Sequence, residues 1–173
     1  MKKLFTLIMM IVALQAFSQG QFQKETAGSM AYASGQVMQL ANAIPADKYN
    51  WSPQEKVRSV AGVCAHIVSA NYMFASKLGA KIPDGVNIES MEMTLKSKDA
   101  IAAELKRSSE LVIAAIKNLP DASLANKVVF PFPGDFTTMT ASLIALSHCN
   151  EHLGQLIAYA RMNKITPPWS ENQ

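Results

Sequence analysis

The sequence is sparing with the features that usually announce a function. Its 173 residues include three histidines and two cysteines, with no basic run, internal repeat, low-complexity tract or Pro/Gly-rich linker. A formal charge of +3 with no basic cluster gives no electrostatic footprint for nucleic acid. The absence of a linker leaves room for one domain. Beyond the first residues no apolar stretch is long enough for a transmembrane helix, which excludes stable membrane insertion of the remainder. Two cysteines, Cys64 and Cys149, allow at most one disulfide; the alternative is two small buried core residues.

Apolar residues are abundant at the N-terminus. Lys2 and Lys3 precede the apolar stretch Leu4 to Leu14, and Ala16-Phe17-Ser18 forms a small-x-small site before Gln19. That order describes a secretory signal over residues 1–18, so the protein is expected to be exported, periplasmic or extracellular. The stretch is short for a bilayer span, and no cysteine follows the cleavage site to carry a lipid anchor. Removing 18 of the 173 residues leaves 155, the single domain 19–173, and losing two lysines lowers the charge from +3 to +1.

In that domain apolar spacing and stop signals outline four helices. The first runs roughly from Phe22 to Ala43, before Ile44-Pro45. The second opens at the N-cap candidate Ser59 and continues through Val63, Ile67 and Ala70 to about Leu78, with Gly79 as its stop. The third follows Ser97 through Ile101, Leu105, Val112 and Ile116 to Leu119, where Pro120 closes it. The fourth spans roughly Thr140 to Asn163. Val128-Val129-Phe130 is the single strand-like run, in the long connection from Asp121 to Thr138. Four long amphipathic helices predict an all-α four-helix bundle, with connections too long for a simple up-down series.

The three histidines are unevenly placed. His148 and His152 stand four apart on the fourth helix, where an i, i+4 pair projects from one face. His66 lies on the second helix, with Ser69, Ala70 and Met73 along the same face. The face of His148 and His152 also carries Ala141, Ile144, Ala145, Gln155 and Tyr159, changing from apolar to polar along its length. Two readings fit. In one, three neutral imidazoles converge on a divalent ion and leave a coordination position open for chemistry. In the other, they are surface or hydrogen-bonded core histidines. Imidazoles suit zinc, nickel, copper and iron(II); zinc and nickel lead. Glu151, three residues past His148, is either a proton carrier beside the site or a solvated helix residue. Gln155, one turn past His152, either orients a ligand or makes a helix-packing hydrogen bond.

Trp51-Ser52-Pro53, Ala65-His66-Ile67, the run His148-Cys-Asn-Glu-His152-Leu-Gly-Gln155-Leu and the tail from Tyr159-Ala-Arg161 to Pro167-Pro168-Trp169 resemble the DinB-like family, of DinB/YfiT type. The resemblance covers most of the domain. It implies a bundle with a long crossover between helices 2 and 3, and a divalent-metal triad at His66, His148 and His152. It further implies dimers through bundle helices and, in members with known activities, thiol-dependent transferase or isomerase chemistry. Members often read His-His-Arg-Gly-Gln where this chain has Glu151-His152-Leu153-Gly154-Gln155. Leucine in place of the basic residue, together with export, argues against low-molecular-weight thiols, which are chiefly cytosolic. The expected function is a metal-dependent hydrolase or transferase acting on an unidentified small molecule. The alternatives are a bundle that binds a metal or small ligand without turnover, and a purely structural bundle.

Overall fold

The computed structural model describes residues 20–170, so the expected leader, 1–18, lies outside the described residues. Four long helices carry the fold: α1 (Gln21–Ala43), α2 (Val60–Lys77), α4 (Lys98–Lys117) and α5 (Thr138–Met162). A short helix, α3 (Met91–Thr94), sits within the α2–α4 crossover, and a two-residue ladder pairs Lys127–Val128 (β1) with antiparallel Phe136–Thr137 (β2). Among the described residues no helix is long and apolar enough to cross a membrane.

Local chemistry sets the helix ends. The Ser59 side chain accepts from the Gly62 N–H, Ser97 from Ala100 and Thr137 from Thr140, each relieving a donor that the first turn leaves unpaired. Gly79, at φ +90°, takes the left-handed conformation that ends α2. The fourth helix therefore starts two residues before the expected Thr140, because Thr137 serves as its cap. The strand-like run also pairs only at its edge, through Val128.

Each of α1 and α2 packs against both α4 and α5, so the two helices that follow each other first in sequence lie across a diagonal. The expected non-hairpin topology is present, but its diagonal steps are the first and third connections; the long second one joins neighbouring helices, α2 and α4. Ile101, Leu105, Val112 and Ile116 of α4 are fully buried at helical spacing, against Met30 and Leu40 of α1, Ile67 and Tyr72 of α2 and Leu156 of α5 in one core. Cys64 and Cys149 belong to that core as free thiols. Burial pushes the Cys64 thiol up to about 12, and it raises that of Cys149 despite a contact with Ser34, so neither is a thiolate ligand at neutral pH.

The loop before α2 is fastened to the bundle. Tyr49 Oη donates to the Ala41 carbonyl at 2.8 Å, and the N–H groups of Val60 and Ala61 donate to the carbonyls of Trp51 and Tyr49. This loop delivers Arg58 to the end of the bundle where α2 and α5 bring their histidines together.

Candidate metal centre

Because α2 packs beside α5, His66 faces the i, i+4 pair. One ring nitrogen from each of His66, His148 and His152 lies within 4.8 Å of the others. The ring centroids form a near-equilateral triangle with sides of 4.9, 4.7 and 4.4 Å. The Nε2 atoms of His66 and His148 are 3.0 Å apart, the separation that follows, at roughly 3 Å, when two nitrogens each sit about 2.0–2.1 Å from a shared ion.

The hydrogen bonds around the triangle decide which nitrogens are free. The Arg58 carbonyl can only accept, so Tyr159 donates to it, at 3.1 Å. Tyr159 oxygen must then accept from the Gln155 amide, at 2.9 Å. That turns Gln155 Oε1 toward His152 Nδ1, at 2.8 Å, where an amide oxygen requires an N–H. Proton occupancy at Nδ1 leaves a bare lone pair on Nε2 of a neutral His152. Trp51 packs edge-on against Tyr159, with centroids 5.3 Å apart, and holds the phenol in place.

His66 is set from the opposite side. Its Nδ1 lies 2.6 Å from Glu92 Oε1, on α3. Arg58 donates to the same carboxylate, from Nε to Oε2 at 2.9 Å and from Nη2 to Oε1 at 3.3 Å. Partial burial pushes the Glu92 pKa upward, but the hydrogen bonds from Arg58 and His66 and their charges outweigh it and hold it below the usual value. An ionised Glu92 only accepts, so His66 carries its proton on Nδ1 and offers Nε2 as a lone pair. In the absence of an ion, the proton between the two Nε2 atoms then belongs to His148. Moving it to Nδ1 frees the third lone pair.

One residue thus terminates both supports. Arg58 reaches His66 through its side chain and Glu92, and His152 through its carbonyl, Tyr159 and Gln155.

Electrostatics favours the neutral form of His148 and His152. Burial, then the proximity of His152 and His66, lowers the pKa of His148 to about 3. The edge of Phe74 packs on its ring, with centroids 5.7 Å apart, and Phe130 packs on Phe74 in turn. Burial also lowers His152, against the upward pull of its Gln155 hydrogen bond. Neutral imidazoles with convergent lone pairs are the form in which histidine binds a metal. The donor set, three imidazole nitrogens, fits a divalent ion.

The residues singled out in the sequence divide. His66, His148 and His152 meet, and Gln155 bonds to His152. Glu151 is exposed on α5. Leu153, where the commoner family pattern has a basic residue, is buried in the core. Asn71 and Tyr72, on the same helix as His66, point to α4 and bond Ser108, Ser109 and Glu104. Glu92 and Arg58 carry no spacing signal. Glu92 is one of three carboxylates in the crossover, with Asp84 and Glu89, and nothing local distinguishes it.

Known proteins agree with this fold. A DinB-like protein from Bacillus cereus ATCC 10987 is similar in structure, with a TM-score of 0.71, 18% identity and coverage of 84% of this chain and 95% of that one. The DinB-like protein YjoA of Bacillus subtilis gives 0.65 at 20% identity, covering 82% and 93%. A conserved protein of Enterococcus faecalis gives 0.64 at 14%, covering 80% and 95%. No functionally curated protein matches the sequence. Residues 32–156, which include all three histidines and most of the four helices, match the sequence profile of the DinB superfamily. The chain belongs to the DinB superfamily.

Proposed function

We propose that this protein is an exported metal-dependent enzyme, a hydrolase or transferase of a small molecule, that holds a divalent ion through Nε2 of His66, His148 and His152. One observation carries the reading: the hydrogen bonds to Glu92 and Gln155 direct two imidazoles to present bare Nε2 atoms toward a common point. A packing role alone does not require imidazoles to turn lone pairs toward one point, whereas an ion there would satisfy them together. Zinc or nickel bound there supplies a Lewis-acid centre with positions left open by a three-residue ligand set.

The chain's own side chains prepare the site. Gln155 fixes the His152 tautomer and ring plane, and Phe74 and Phe130 shield His148 from water. Glu151, exposed one residue before His152, is the carboxylate available to carry a proton to or from solvent. The leader supports export, and the family resemblance supports a homodimer through bundle helices.

Elemental analysis of the protein purified from its native compartment is expected to find about one zinc or nickel per chain. Its N-terminus is expected at Gln19. Chelation should lower the melting temperature, and returning the ion should restore it. No metal, and no thermal response to added zinc or nickel, would remove the reading. The second reading, a bundle that captures metal or ligand without chemistry, shares the ion. It predicts no turnover by the loaded protein on ester, amide or thiol-transfer substrates. Activity lost in folded His148→Ala excludes it.

A further inference from the structure

The crossover between α2 and α4 is long, and residues 80–96 bury few side chains; Met91 and Leu95 are buried in the core, while Ala80, Ile82, Val86 and Ile88 pack against it half-buried. Beyond the backbone hydrogen bond from Ala80 to Ala75 at its start, two side-chain contacts tie it to α2. Ser69 Oγ donates to the Ile88 carbonyl at 3.1 Å, and Glu92 receives His66 Nδ1 at 2.6 Å. A four-residue helix has almost no intrinsic stability, since nucleation costs more than one turn returns. The position of α3 therefore depends on what its side chains hold, and the shortest of those contacts is with a candidate ligand.

We propose that Glu92 is a positioning residue for His66 and that the ion and the crossover are ordered together, with Arg58 fixing the carboxylate between them. The proposal rests on the three-histidine metal reading. A carboxylate that accepts from the non-ligating nitrogen of an imidazole fixes its tautomer, sets its ring plane and raises the basicity of the other nitrogen. Glu92 meets each condition. It lies between the Arg58 guanidinium and Nδ1, and it leaves Nε2 toward His148. Arg58 approaches the carboxylate through two nitrogens and restricts its rotation. A bound ion that holds His66 in place then holds Glu92, and through it α3. Conversely, anything that displaces α3 withdraws the orienting group from the ligand.

The test uses the purified protein, zinc, and a chromophoric chelator as competitor, with amide hydrogen exchange as the second readout. Glu92→Ala is expected to weaken zinc binding about 10- to 100-fold, the range for loss of an orienting partner. Glu92→Gln keeps an acceptor for Nδ1–H and should recover part of that loss. In a His66→Ala background Glu92→Ala should have no further effect, because its route to the ion is gone. Zinc should slow exchange over residues 88–95 in the wild type and not in Glu92→Ala. Wild-type affinity in Glu92→Ala overturns the proposal while leaving the metal site intact. So does a loss that persists undiminished without His66, or exchange over 88–95 that is indifferent to zinc. No zinc binding by the wild type overturns this proposal and the metal reading together.

Discussion

Helices α4 and α5 present inward stripes of similar length, yet they do different work. On α4 the stripe is Ile101, Leu105, Val112 and Ile116, all fully buried. On α5 it begins as Ala141 and Ala145 and then becomes His148, His152, Gln155 and Tyr159, each with a polar atom to satisfy. The first stripe lowers free energy through area removed from water, in proportion to that area. The second contributes little of that kind and instead demands specific partners, because an unpaired buried polar group is costly. The apolar stripe of α4 and the polar stripe of α5 thus have different requirements, although α5 also sends Leu153 and Leu156 into the core. The small alanines of α5 let it approach its neighbours closely enough for imidazoles on two helices to touch.

Four substitutions or conditions would break or sharpen that contrast. The largest effect is expected from Leu105→Ala on α4, which should cost about 2–5 kcal/mol from cavity formation. Denaturant melts should show the same loss with and without zinc. A loss confined to the zinc-loaded protein would contradict the division. Next, His148→Ala should abolish the stabilisation by zinc, which at a hundredfold excess over Kd amounts to about 2.7 kcal/mol in the wild type. Calorimetry with added zinc reads this directly.

Acid should act through α5 as well. Folded His148 stays neutral down to about pH 3, whereas in the unfolded chain it takes up a proton near its ordinary value of 6.5. Its contribution to ion-free stability is therefore full above about pH 6.5 and is lost as pH falls toward 3. His148→Ala should flatten that part of the stability–pH curve, measured by urea midpoints across the range. The smallest effect belongs to Glu151→Ala, at most about 0.5 kcal/mol for an exposed helix position. If Glu151 carries protons, turnover by the metal-loaded protein should fall while stability holds.

Much of this was legible in the sequence, for identifiable reasons. Periodicity exposed the α4 stripe, Ser59 and Ser97 marked helix starts, and the i, i+4 spacing placed His148 and His152 on one face. These are local relations, and a helix enforces them wherever it packs. The meeting of His66 with that pair was legible only as an expectation of the bundle and of the family resemblance. Glu92 was not legible. Its helix is too short to show a period, and its partner is 26 residues away. Thr137 was missed as a cap because the ladder that brings it into place joins Lys127–Val128 to Phe136–Thr137 from opposite ends of a connection. Arg58 resembled any exposed cation in a loop until both ends of it were seen in contact.

The convergence of the two supports on Arg58 has a mechanical consequence. A substitution at this position can sever the side-chain arm to Glu92, but every amino acid keeps the carbonyl that anchors Tyr159. The two supports are thus separable by substitution at Arg58, which removes one and leaves the other. A shift of the Trp51–Ser59 backbone would displace both in phase, relative to His148.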